Sequence, residues 1–118
     1  MPYFQCHSGE LFFSFGNLGQ FNLPFRDNTD IFMSQLLVDI WTAFAWNHNP
    51  NPNPALLSAR NYAVTLANVK KTGLWEPVTV KNPSLRLLDF PDSRQIPFEE
   101  IKECEVLGFP LDFYETSQ

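Results

Sequence analysis

The 118-residue sequence predicts a helix-rich α/β fold with a few short strands. Three observations predict it. Apolar residues recur at helical spacing in the first half of the chain, two short apolar runs of strand type follow later, and ten prolines impose rigid connections between segments. Two short strands bury little surface by themselves, so the pattern indicates one domain, or part of one, that belongs with a larger sheet.

The first predicted element is a buried strand at residues 3–7, Tyr-Phe-Gln-Cys-His, which delivers His7 into a loop. The segment 9–16 that follows is apolar on nearly all sides. We therefore expect it to pack deep in a core.

The strongest predicted helix begins at the cap-forming residues Asp27, Asn28 and Thr29 and has the acid Asp30 in its first turn. Its apolar positions repeat at helical spacing, at Met33, Leu36, Leu37, Ile40, Trp41, Phe44 and Ala45. Alternating asparagines and prolines at 47–54 end it, because proline disrupts helices and favours extended backbone before it.

The later elements are a second helix, two short strands and a last helix. The second helix is predicted over 55–71, with Gly73 beyond its end. Strands are predicted over 75–80 and 84–90, and the last helix over 97–107.

Charge and hydropathy exclude two classes of partner. The net charge is −5, with scattered basic residues, which provides no attraction for nucleic acid or an anionic membrane surface. The most apolar stretch, 31–46, is shorter than the roughly 20 residues that cross a bilayer and is interrupted by Gln35 and Asp39. The first residues show no secretory signal, so they leave the localisation undetermined.

Residues 6–16, Cys-His-Ser-Gly-Glu-Leu-Phe-Phe-Ser-Phe-Gly, resemble the catalytic-histidine segment of type-B carboxylesterases and cholinesterases. The resemblance continues through 40–45, Ile-Trp-Thr-Ala-Phe-Ala, the Asn-Pro turn at 49–52, and the segments 75–78 and 85–88. A glycine that the family often has after the long helix is absent around 47–48. The segments 54–62 and 107–112 look more like the fungal branch.

This resemblance covers nearly the whole chain and implies that residues 1–118 are the C-terminal part of an α/β-hydrolase domain. It implies that His7 is the general base of a Ser-acid-His triad acting on small-molecule carboxylic esters. The chain has no G-x-S-x-G motif and no glycine-rich oxyanion loop. We therefore expect no turnover without the missing N-terminal portion of the domain as partner, and no cofactor. The family is commonly secreted.

The other polar residues near His7 have more than one interpretation. Glu10 is either a buried carboxylate that supports the pocket near His7 or an acid at a helix start. Ser8 is interpreted as a loop hydrogen-bonder rather than a nucleophile, because neighbouring side chains diverge from a loop. His48 is expected to be exposed and without function.

Cys104 resembles a late cysteine that pairs, in many family members, with an upstream partner, which would leave it here as a free thiol. Cys104 could instead pair with Cys6, although nothing in the sequence spacing favours that bond. Cys6, His7 and Cys104 lack a recognised metal-ligand spacing, so no metal is predicted. Several aromatic residues either line a substrate pocket or form simple core, namely Phe12, Phe13, Phe15, Phe21 and Phe25.

Three hypotheses about function remain at this point. The leading one is a fragment of a carboxylic-ester hydrolase. The second is a non-catalytic interaction module that reuses the late α/β-hydrolase segment and binds a partner through exposed apolar surface. The third is an unrelated α+β binding domain, in which substitution of His7 would be silent.

Overall fold

The longest element is a 20-residue helix, which we number α2 (Asn28–Asn47), in a computed structural model that describes residues 8–21, 26–98 and 106. Asp27 caps it, since its Oδ1 accepts from the backbone N–H of Thr29 at 2.7 Å and from the Thr29 hydroxyl. These hydrogen bonds lower the pKa of Asp27, the hydroxyl contributing most. The helix ends at His48, whose φ of 53° is left-handed. The predicted long helix is confirmed.

A short helix, α1 (Leu11–Ser14), and a 3-10 helix (Leu18–Phe21) precede α2. The Ser34 hydroxyl on α2 donates to the Phe13 carbonyl at 2.9 Å. Gly16 has a φ of +65°, and a Cβ there would lie 3.3 Å from a Val38 methyl group, so glycine allows this close approach.

The expectation that segment 9–16 packs deep in a core is wrong. No residue of α1 is buried, and Phe15 is 75% exposed. Within the described part of the chain, α1 packs on α2 along one side, so its other apolar side chains remain open to solvent.

The single helix predicted over 55–71 is instead two helices, α3 (Pro54–Ala59) and α4 (Ala63–Thr72). Asn61 adopts a left-handed φ of 58°. The N–H of Tyr62 then donates to the Leu57 carbonyl at 2.9 Å and that of Asn61 to the Ser58 carbonyl at 3.1 Å. These two bonds form a Schellman motif, which closes α3 before α4 starts. The predicted end at residue 71, with Gly73 beyond it, is correct to within one residue, since α4 ends at Thr72 and Gly73 caps it.

The two strands form an antiparallel hairpin, β1 (Ser84–Leu87) and β2 (Arg94–Pro97), in which Ser84 pairs with Pro97 and Leu87 with Arg94. The strand predicted over 84–90 is therefore correct for its first half only. The segment 75–80 is not a strand: it contributes one isolated bridge, from Thr79 to Asn82. Pro77 in this segment lacks a backbone donor, which limits pairing.

Strand β2 lies where no strand was predicted, and the predicted start of the last helix at Pro97 is wrong. Pro97 ends β2, and the N–H of Phe98 donates to the Pro83 carbonyl at 3.1 Å, which extends the hairpin. Val106 is helical, and the remainder of the predicted segment 99–107 lies outside the described residues, as does the predicted strand at 3–7.

The core of the described part is small and centred on α2. The buried apolar side chains are Leu36, Leu37, Ile40 and Leu57. Fourteen large apolar side chains are exposed, among them Trp46 and Phe15. Helices and a two-stranded sheet thus make up the described fold. No helix in these residues combines the length and hydropathy needed to cross a membrane.

Candidate functional site

The residues that the resemblance assigns to catalysis or to cysteine chemistry, His7, Cys6 and Cys104, lie outside the described residues. The description begins at Ser8, directly after His7. Ser8 has a left-handed φ of 65° and is half-buried. Its carbonyl accepts from the N–H of Leu11 at 3.2 Å, so residues 8–10 form a turn that leads into α1.

Glu10 occupies the N-cap position of α1 and is exposed. Its carbonyl accepts from the N–H groups of Phe13 and Ser14 at 3.1 and 2.9 Å. Its carboxylate makes no capping hydrogen bond, and Glu10 is one of the residues that line an open cleft. The position is that of a helix-start acid, whereas a supporting role toward His7 stays a prediction.

The cleft is a concave region in the described part of the chain and has a volume of about 230 Å³. It lies between α1, the first half of α2 and the loop that follows β1. Its lining residues are Glu10, Phe13, Arg26, Thr29, Met33, Leu37, Asp89 and Phe90. An apolar surface edged by a few polar groups is typical of small-molecule sites.

An ion pair fixes Arg26 beside α2. The buried Asp30 accepts from the Arg26 backbone N–H at 2.9 Å and from its Nε at 2.8 Å, with a further bond from Nη2. The hydrogen bonds from the Arg26 side chain lower the pKa of Asp30, against the opposing effect of burial. The pair therefore keeps the Asp30 carboxyl ionised.

Several contacts hold the loop after β1, two of them at the residues that line the cleft. The hydroxyl of the buried Ser93 accepts from the N–H of Asp89 at 3.2 Å and donates to the Asp89 carbonyl. Phe90 stacks against Phe32 of α2 at a tilted angle, with ring centroids 5.7 Å apart. The loop thus presents Asp89 and Phe90 to the cleft from a fixed backbone.

The second concave region encloses only about 20 Å³, the space of one water molecule. Beside it, Asn51 Oδ1 accepts from the N–H of Trp75 at 2.7 Å, and Asn51 Nδ2 donates to the Trp75 carbonyl at 3.0 Å. The structure therefore brings together two of the segments that carry the resemblance, the Asn-Pro turn and the segment 75–78.

Arg86, in a third such segment, caps the end of α4. Its guanidinium donates to the carbonyls of Thr72, Gly73 and Leu74 at 3.2–3.3 Å and to the Thr72 hydroxyl at 2.9 Å. Partial burial lowers the pKa of Arg86. The cation lies at the negative end of the helix dipole, so its role is structural.

The remaining candidates lie apart from the cleft or form only part of it. His48 is exposed at the end of α2, as predicted. Of the aromatic residues proposed for a pocket or a core, Phe13 lines the cleft and Phe15 is exposed. Among residues 8–21, 26–98 and 106, no three His, Cys, Asp or Glu side chains are grouped so that they could hold a metal ion.

Arg26 and Asp89 were not predicted from the sequence as members of a site. The four-residue spacing of Arg26 and Asp30 is only a weak signal for the ion pair, because that spacing brings side chains together on a helix and Arg26 lies just before the N-cap of α2. No local pattern indicates that Asp89 and Glu10 line the same cleft, because they are 79 positions apart in the sequence and only the tertiary fold brings both to it.

Comparison with protein-family models, curated proteins and solved structures finds no match to this chain.

Proposed function

We propose that this chain is the C-terminal part of a carboxylic-ester hydrolase of the type-B carboxylesterase family, with an α/β-hydrolase fold, and that it supplies His7 as general base. The order and spacing of the segments at 6–16, 40–45, 49–52, 75–78 and 85–88 support the assignment. Within the family, the segments 54–62 and 107–112 favour the fungal branch over the animal cholinesterases.

The observation that carries the proposal is that two described residues of the motif, Glu10 and Phe13, line a concave surface. The turn at 8–10 connects His7 to α1, and Glu10, three residues after His7, lines the 230 Å³ cleft. A histidine that moves protons for a bound ester must lie next to a cavity that can hold the ester. The contacts between Asn51 and Trp75 add support, because they join two segments of the motif order.

In the proposed reaction, the imidazole of His7 accepts the proton of a serine hydroxyl as that oxygen attacks the ester carbonyl. It then gives the proton to the leaving alcohol, and a second cycle with water releases the acid. The serine, the triad acid and the oxyanion donors would come from the N-terminal portion of the domain. Because this chain contributes one of three triad members, the chain alone should not turn over esters.

A fluorophosphonate probe tests the proposal, since it reacts covalently with an activated serine. A source-cell extract would be labelled, the labelled proteins enriched, and peptides from 3–26 and 103–118 identified by mass spectrometry. We expect both peptides in a labelled species much heavier than 13.6 kDa, and no label on the purified 118-residue chain. Peptides found only in an unlabelled 13.6 kDa species would contradict the proposal.

A second candidate function is a non-catalytic interaction module, and the exposed apolar surface favours it. Fourteen large apolar side chains are exposed in the described residues, against four that are buried. Exposed apolar side chains that form a contiguous patch are typical of contact surfaces. A stably folded monomer that lacks esterase activity in the cell would support this function over the first.

A further inference from the structure

We propose that the cleft between α1, α2 and the loop after β1 binds a small molecule that combines one aromatic ring with a protonated amine. This proposal does not depend on the esterase assignment, because described residues of this chain line the cleft and binding can be measured without turnover.

The apolar part of the cleft sets the size and nature of the ligand body. Phe13 and Phe90 supply aromatic surface, Met33 a thioether and Leu37 an aliphatic side chain. Methionine sulfur makes favourable contacts with aromatic rings. A dry apolar cavity of about 150 Å³ is large enough for benzene. A cleft of about 230 Å³ therefore has room for one ring with a short side arm.

The charges around the cleft select a cation. Among the described residues, Glu10 and Asp89 contribute −2, while Arg26 and its partner Asp30 contribute +1 and −1. The charge of these four side chains is therefore −2. The Arg26 guanidinium is bound to Asp30, so its charge is largely compensated locally. An ammonium group near Glu10 and Asp89 is attracted, and a carboxylate in the same place is repelled.

The walls of the cleft are already ordered, which favours binding. The Thr29 hydroxyl is committed to Asp27, and the Asp89 backbone is held by Ser93. The contact between Phe90 and Phe32 fixes one aromatic wall against α2. These three wall groups therefore lose little further freedom when a ligand binds.

The test is a titration of the full 118-residue chain, followed by two-dimensional NMR, with three probes of nearly equal shape. Phenethylamine carries the cation, phenethyl alcohol is neutral, and hydrocinnamate is an anion. We expect phenethylamine to bind about tenfold more tightly than phenethyl alcohol, with hydrocinnamate weakest. Added salt should reduce the advantage of the amine, because it screens charges at an open site.

Two variants and a control locate the interaction. Glu10→Gln and Asp89→Asn should each weaken phenethylamine binding about two- to fivefold and leave phenethyl alcohol binding unchanged. Asp92→Asn is the matched control, because Asp92 is an exposed acid in the same loop that pairs with Lys71 and does not line the cleft. Circular dichroism of each variant confirms that it is folded.

Three results would overturn the proposal. Hydrocinnamate could bind as tightly as phenethylamine, or the Glu10→Gln and Asp89→Asn double variant could bind the amine as well as the unaltered chain. The third is the absence of saturable binding by any probe to the folded chain.

Discussion

Replacement of Asp30 by asparagine tests the electrostatics of the cleft edge most directly. The Asp30 side chain is 6% exposed and accepts three hydrogen bonds from Arg26. Asparagine keeps the shape and one acceptor oxygen but loses the charge. Hydrogen bonds to charged groups contribute about 1.5–3 kcal/mol, and the half-exposed Arg26 lowers that value through screening. We therefore expect a loss of about 1–2 kcal/mol at neutral pH.

The loss should depend on pH with a defined sign. The folded-state pKa of Asp30 lies below its ordinary value of 3.8, so the unfolded chain binds the proton more readily. The contribution is complete above the ordinary pKa and is lost as the pH falls through the lower folded pKa. Asparagine does not titrate. The difference between the two proteins should therefore shrink as the pH is lowered below about 4.

Urea unfolding followed by circular dichroism at pH 7 and at successively lower pH gives the required free energies. Asp92→Asn is the control, because its exposed pair with Lys71 should contribute less than about 0.5 kcal/mol. A difference for Asp30→Asn that is the same in acid as at pH 7, or that is no larger than the control, would refute the reasoning.

Three further predictions concern stability. Leu36 is 1% exposed, so Leu36→Ala should lower the free energy of unfolding by about 2–5 kcal/mol. Leu56 is exposed, so Leu56→Ala should lower it by less than about 0.5 kcal/mol. Equal urea midpoints for the two variants would argue against the assigned core. Asn51→Ala should lower the free energy of unfolding by about 1–3 kcal/mol and shift the tryptophan fluorescence, because the backbone N–H of Trp75 loses its acceptor. An unchanged spectrum and an unchanged stability would contradict this. Asn61→Ala should lower the melting temperature, because alanine in the left-handed conformation of residue 61 is strained by about 1 kcal/mol. Asn61→Gly should not lower it, because glycine adopts that conformation freely. A glycine variant that melts below the alanine variant would exclude a left-handed residue 61.

The parts of the fold that local sequence specifies were predictable. The Asp27 cap, the apolar repeat and the following prolines define α2, and all of these act within a few residues. The break at Asn61 was missed because a polar residue in mid-helix does not interrupt the repeat of apolar positions. The left-handed φ of Asn61 belongs to the motif that closes α3, and the repeat does not report it. Strand β2 was missed because Arg94 and Gln95 give no apolar alternation, and its pairing depends on β1.

The candidate site was predictable only where the motif is contiguous. Residues 8–16 were identified from a run of sequence, and the turn and α1 form within it. The contributions of Asp89 and Phe90 depend on the loop after β1 meeting α2, a long-range contact that no local pattern encodes. The role of His7 stays a prediction.

The pairing of Asn51 with Trp75 has a consequence for how this protein tolerates changes in length. The side-chain amide of Asn51 binds the backbone of Trp75, 24 residues later in the chain. The segment that contains α3 and α4 therefore begins and ends at nearly the same point in the fold. Insertions in the exposed turn between those helices need not displace α2 or the hairpin, and a longer loop adds little closure entropy. We expect length variation among relatives of this chain to concentrate in that turn, with asparagine and tryptophan retained at its two anchor points.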